Sequence, residues 1–485
     1  MVVSLRRRLE ALLARLGTVP PARRLMSNPH ARHLSIRLLI ALPLLALLNH
    51  PQIANIPFLK NKEDSAMDLM MQAFQAGSPH QEAQPLAFID IDEATYQAWG
   101  EPFMVPREKL QKLIQFVASA HPKLIFADIE LSKPSCDPIA DHRFTTFIRN
   151  YTKESDPILM FPQGFREPLD PEGAVTPRAS FLDAAMTSTN SRVIKTSALF
   201  NIDDNDGILR RWRLFERLGP APTDLYPSVE LSVYALTQPP FKPPRAAFKE
   251  LQDKLELLET EETVKVGQLT LHSHADQLEQ RIIYSIPKDL PPWASTPEIL
   301  RADGVPLPFL ETISARCITE PDAGPSCVRH YPQGLMTPEF DNWLDQRIVV
   351  IGVSYKAARD TFDTPLGTMP GSMVIINSIN TLNQYGFITR PNLYISLGLE
   401  VFIILLGYWA HQLMAKKINP LWFSLGIALL LLPLCYHFFK MGVWLTVAIP
   451  LILTSFTDTR DSVKETLSHF KRSNALKKPK PDQKE

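Results

Sequence analysis

Cysteine is scarce in this sequence: four residues among 485, at positions 136, 317, 327 and 435, with no spacing of the kind that holds zinc. Net charge is missing as well, since 51 Lys and Arg balance 51 Asp and Glu. No overall field attracts nucleic acid, and none is expected as a partner. The common nucleotide and hydrolase signatures are absent. There is no Gly-rich P-loop, no HExxH and no GxSxG, and the strand-turn IGVSYKAARD lacks the GxGxxG glycines that let a backbone approach pyrophosphate. No cofactor is expected. Low complexity is confined to the basic C-terminal tail, whose lysines and prolines build no core.

Proline and long apolar runs are plentiful. The 43 prolines fall mostly in the middle of the chain and argue for a loop-rich folded region there. Three apolar blocks follow one another near the C-terminus: LYISLGLEVFIILLGYWAHQL from Leu393, LWFSLGIALLLLPLCYHFF from Leu421 and GVWLTVAIPLILTSF from Gly442. A bilayer core needs about 20 apolar residues in a helix, because only a helix satisfies its own backbone groups in lipid. The third block reaches that length if Lys440 snorkels. Glu400 is the one frank acid among them, either a contact with a partner helix or a residue at the headgroup level. A fourth candidate, Leu34 to Leu48, reads as an uncleaved anchor, with a signal-peptide core as the alternative. Arginines precede it, Lys416 and Lys417 fill the loop between two later spans, and more Lys and Arg follow the last. The positive-inside rule then puts both termini in the cytoplasm. The expected division is a basic cytoplasmic leader (1–33), an anchor (34–49), an extracytoplasmic domain (50–392), transmembrane segments (393–413, 421–439, 441–456) and a basic cytoplasmic tail (457–485). In an oxidising compartment Cys317 and Cys327 become a candidate disulfide worth about 3 kcal/mol; two buried thiols are the alternative.

Within 50–392 the pattern is α/β. LAFIDID and HPKLIFADIELS read as buried strands around the helix PREKLQKLIQFVASA, which carries Leu110, Leu113, Ile114 and Val117 on one face. That spacing predicts a parallel crossover and a mostly parallel central sheet with flanking helices. PILMFP, RVIKTSALFN and ILRRWRLFERL read as further strands, YPSVELSVYAL as a helix, and residues 237–345 as less regular. RIVVIGVSY is the cleanest strand; after DTFDTPLGTMPG the helix MVIINSINTLNQY leads toward the membrane.

Asp90, Asp92 and Asp128 fall at predicted strand ends, and Asp360 and Asp363 follow the last strand. Open α/β sheets bind ligands in the crevice at that edge. Such carboxylates cap helices and turns first; second, they bind a ligand or cation, or hold a proton; catalysis ranks last. FIDIDEAT approaches the DxDxT signature of aspartyl-phosphate phosphatases, but Ala94 occupies the threonine slot. Arg210 and Arg211 are the best anion-binding candidates, with pairing to the DDND acids as the alternative.

FIDIDEATYQAWG, MVPREKLQKLIQFVASAHPKLIFADIELSKPS, DNDGILRRWRLF, YPSVELSVYAL, RIIYSIP, RIVVIGVSYKAARDTFDTPLG and MPGSMVIINSINTL, in that order, resemble the bacterial CHASE domain of the second type. The resemblance runs from about Leu34 to about Phe456 and is most specific in its last block. It departs at PFMVPRE, where the usual aromatic-proline-arginine turn is softened, and at Ile375 to Asn377, where many members place a histidine or alanine. It implies an extracellular sensory domain followed by three membrane spans, of the kind found ahead of cyclases and kinases, and it names no ligand. The stretch after Phe456 is too short for such a module. The expectation is therefore a membrane sensor that is not itself an enzyme, forms a homodimer, and acts through a separate kinase, cyclase or envelope protein. An envelope scaffold, and less so an Asp90/Asp92 phosphohydrolase, are the alternatives.

Overall fold

The computed structural model describes residues 57–74, 83–166, 175–187, 191–219, 224–239, 241–273, 278–289, 297–300, 306–320 and 344–388, with short pieces between 394 and 445. The chain divides into two compact units, Met67–Ile388 and a second formed by Met1–Ala66 with Thr389–Glu485. In the second, a turn at 440–442 joins Phe439 to Trp444, whose rings meet edge to face at 5.9 Å; the segments expected at 421–439 and 441–456 abut there. Among the described residues no helix is long and apolar enough to cross a membrane. The spans expected at 34–49, 393–413, 421–439 and 441–456 lie wholly or mostly outside those residues.

The larger unit is built on six parallel strands. In chain order they are β1 (Leu86–Ile91), β2 (Leu124–Ala127), β3 (Ile158–Pro162), β4 (Val193–Thr196), β5 (Leu310–Ser314) and β6 (Ile348–Val353). Their spatial order is β5-β1-β6-β2-β3-β4. The first and last long strands are therefore neighbours in mid-sheet, aligned from Leu86 opposite Ile348 to Ile91 opposite Val353. Strands covered on both faces are nearly continuous apolar runs, and LAFIDI, LIFA and IVVIGV meet that demand except at Asp90. The expected parallel sheet is present. Residues 237–345 hold one of its strands, β5, which the irregular reading of that stretch passed over.

Side chains alternate across a strand. Ala87, Ile89, Ile91, Ile125, Ala127, Val349 and Ile351 point to one face and share a core with α1 (Arg107–Ser119) and α2 (Pro138–Arg149), through Leu110, Leu113, Ile114, Val117, Phe144 and Ile148. Arg107 pins those two helices together: fully buried, it pairs with Asp141 at 3.4 Å and donates to the Lys133 carbonyl at 3.0 Å.

The other face carries Leu86, Phe88, Phe126 and Val350, all buried. Above it lie α3 (Val229–Thr237) and α4 (Gly371–Asn380), packed on each other, with α4 also against β6. Every residue of α4 is buried, its polar ones included. A π turn, Thr381–Tyr385, ends it. Between β6 and α4, DTFDTPLGTMPG folds as a hairpin, Thr361–Thr364 paired with Gly367–Pro370.

Candidate functional site

Three strands end side by side at the C-terminal edge of the sheet, and their last residues on the α3/α4 face are Asp90, Gly352 and Asp128. Asp90 stands opposite Gly352 in the β1/β6 register. Asp128 follows β2 and donates its backbone N–H to the Ile351 carbonyl of β6 at 2.7 Å. Two strand spacings put the aspartates about 10 Å apart. Glycine between them has a steric reason: a Cβ on Gly352 would strike the Ser372 side chain, with its Cβ 2.6 Å away. That absence lets the first turn of α4 reach the strand ends, where Ser372 Oγ donates to Asp128 Oδ2 at 2.8 Å. Gly371 beside it leaves room for the Asp360 carboxylate in the same way.

The crevice is acidic, and its carboxylates are partly buried. Burial pushes Asp128 up to about 7, helped by the charge of Asp360 and opposed by the Ser372 hydrogen bond. Burial also raises Asp360, against the pull of the Gly371 N–H. Asp90 is pushed up to about 6, first by burial; the Ser354 hydroxyl lowers it, repulsion from Asp92 raises it, and Lys288 lowers it. Its Oδ1 is buried with no hydrogen-bond partner, a state that normally calls for an explanation. Carboxyl groups so placed accept hydrogen bonds from a donor-rich ligand when ionised and store protons when not. Among the described residues no group of three His, Cys, Asp or Glu is arranged to hold a metal ion.

The remaining candidates stand elsewhere. Asp92 caps the short helix Glu93–Ala98: its Oδ1 accepts from the Thr95 N–H at 2.8 Å and the Thr95 hydroxyl at 2.6 Å. Asp363 is exposed on the hairpin and accepts from Thr368 across it at 2.8 Å. Arg210 is buried and committed to acids, donating to Asp206 at 2.9 and 2.7 Å and to Asp68 at 2.9 Å. Asp68 also pairs with Arg281. Arg211, on the opposite face of that strand, is partly exposed. Cys317 is engaged in a disulfide; Cys327 lies outside the described residues, and Cys136 and Cys435 are free.

Sequence reasoning missed Ser354, Ser372 and Lys288, and also Tyr96 and Tyr355, which stack at 4.2 Å after β1 and β6. Nothing in their types marks them; only the strand register brings them to one edge. A separate open groove of about 640 Å³ on the outer surfaces of α1 and α2 is lined by Gln111, Gln115, Phe147 and the exposed pair Glu108–Arg143.

No curated protein and no solved structure matches the chain. The family model that matches is that of the CHASE2 domain, over residues 38–411. CHASE2 is a sensory extracellular domain found in signalling proteins, and a two-sided sheet with an acidic crevice at its open edge fits a sensor. With most of its length matched, the chain belongs to the CHASE2 domain family.

Proposed function

We propose that the protein is an extracytoplasmic sensor mounted in the bacterial cytoplasmic membrane, and that its stimulus is a small hydrogen-bond donor taken up in the crevice of Asp90, Asp128 and Asp360. The carrying observation is Asp90: the end of a central strand in a CHASE2 domain holds a buried carboxylate oxygen with no partner in the fold. A ligand that supplies the missing hydrogen bond removes a desolvation cost. Membrane mounting rests on the apolar blocks at 34–49, 393–413, 421–439 and 441–456 and on the basic residues that flank them.

Transmission follows from the first turn of α4. Ser372 ties that turn to Asp128, and the helix runs on to the π turn at Thr381–Tyr385, a few residues before the next apolar block. A ligand that binds more tightly to one arrangement of Asp128 and Ser372 biases the position of α4 by that difference in affinity. We assign no catalysis to the carboxylates. Asp92, which a phosphohydrolase would use on the leaving group, is spent on Thr95.

The test is a thermal-shift screen of the full-length chain against small amines, amino acids and polyols, repeated with Asp90→Asn and Asp128→Asn. A stimulus is expected to raise the unfolding temperature of the native chain and to lose most of that effect in both variants. Stabilisation of equal size in all three proteins places the binding elsewhere.

A further inference from the structure

One buried acid takes no part in the crevice. Glu230 lies in the first turn of α3 and is 0 % exposed. Its Oε1 is 2.5 Å from Ser378 Oγ of α4, and its Oε2 has no hydrogen-bond partner. Ser378 Oγ is also 2.9 Å from the Ile375 carbonyl. A hydroxyl has one proton to give, so Ser378 serves either the carboxyl or the carbonyl. When Glu230 carries a proton and donates it to Ser378 Oγ, Ser378 passes its own to Ile375, and Oε2 is left as a neutral carbonyl oxygen. When Glu230 is ionised, an anion with one unpartnered oxygen lies deep in the protein, where that costs most.

The surroundings offer the anion little. Burial pushes the carboxyl up to about 7, against the hydrogen bonds of Ser378, its own backbone N–H and Ser228. Helix α4 and its π turn carry no Asp, Glu, Lys, Arg or His from 371 to 385; Tyr385 is their only titratable side chain. On α3 itself, the Tyr234 hydroxyl accepts from the Gln268 N–H at 3.2 Å. The helix Pro244–Leu257, packed on α3, buries Leu251 and Leu255, and its Glu250 pairs with Lys242 and Lys254 while Arg245, Lys249, Asp253 and Glu256 complete its charges. On β4, Lys195 pairs with Asp183 at 2.6 Å. Tyr284, which feels the Glu230 charge, donates to the Leu209 carbonyl at 2.9 Å, and Arg281 and Arg210 are paired with Asp68.

We propose that Glu230 and Ser378 form a proton-operated latch between α3 and α4, closed while Glu230 donates to Ser378 and loosened when Glu230 gives up its proton. The latch grips α4 two turns beyond the crevice residue Ser372 and one turn before the π turn, so it passes external acidity into the helix that also carries the state of the crevice. It needs no ligand and stands whether or not the crevice binds one.

The test is hydrogen exchange of amides within 371–385 in the full-length chain, corrected for intrinsic rates, at about pH 6 and about pH 8. Protection in the native chain is expected to fall by roughly tenfold or more over that step. Glu230→Gln, whose amide donates to Ser378 Oγ as the acid does, is expected to fall by roughly tenfold less than the native chain, the remainder being the share of Asp90 and Asp128. A native chain that shows no fall, or a Glu230→Gln chain that falls equally, overturns the latch. Infrared spectroscopy reads the same claim without altering Glu230. The carbonyl band of a water-free protonated carboxyl, followed in Asp90→Asn/Asp128→Asn, is expected at the lower pH and gone at the higher; its absence at the lower pH overturns the proposal.

Discussion

Asp90, Asp128 and Glu230 are held nearer to neutrality than free carboxylates, at about 6, about 7 and about 7, because each is buried without a basic partner in hydrogen-bond contact. Each binds its proton more tightly folded than unfolded. The stability each contributes is therefore complete below the unfolded values near pH 4 and is lost as pH rises through about 6 to 7. Asp203, Asp206 and Glu250 are lowered by hydrogen bonds to Asn205, Arg210 and Lys242 and act only below that window. Thermal unfolding is thus expected at a higher temperature near pH 5 than near pH 8, and Asp128→Asn is expected to remove part of that slope, up to about 3 kcal/mol. A midpoint that climbs steadily between those values contradicts the burial argument. Arg210 shows the opposite solution at the same scale: buried as well, it is matched by Asp68 and Asp206 and keeps its charge out of reach of a ligand.

Helix α4 is the element on which the account turns, and its polar residues replace a missing strand. The strand Glu279–Arg281 pairs with Leu209–Arg213, and Ile282 still donates to the Arg210 carbonyl at 2.8 Å; beyond it the chain 283–286 leaves that ladder and α4 with its π turn takes over. Asn377 Oδ1 accepts from the N–H groups of Ser285 and Ile286 at 3.1 and 3.0 Å, its amide donates to the Ile286 carbonyl at 2.9 Å, and Thr381 bonds both backbone groups of Ile283. Asn377→Ala strands two donors and an acceptor in the core and is expected to cost about 2–5 kcal/mol, read from the urea midpoint of the full-length chain; a loss under about 0.5 kcal/mol would show that water replaces the amide. From sequence, α4 was legible as a helix because MVIINSINTL is apolar enough to be buried, and β1, β2, β3 and β6 because they are unbroken apolar runs. Strand β5 was not, since LETIS is a half-exposed edge without such a run. The hairpin at 361–370 was hidden behind its turn residues, which read as loop. Glu230 escaped notice because one acid in YPSVELSVYAL suggests a solvent face, whereas eight of the nine residues of α3 are buried. Capping by Asp92 was legible from Asp-Glu-Ala-Thr alone; the lone oxygen of Asp90 required the fold.

At the scale of the whole molecule, strands from opposite ends of the domain close the sheet at its centre, so the unit Met67–Ile388 folds only when its far ends meet. The proposal tested at this scale is that this unit lies on the far side of a membrane from the arginine-rich leader, and the family match from 38 to 411 and the apolar blocks support it. Cys136 offers a native handle on it, being exposed, free and on the loop before α2, while Cys435 is buried. A membrane-impermeant maleimide applied to intact cells with a permeabilised outer membrane is expected to label the native chain and to leave Cys136→Ser unlabelled. Labelling of Cys136 that appears only after the cells are lysed would put the domain in the cytoplasm and contradict the sensor reading at its root.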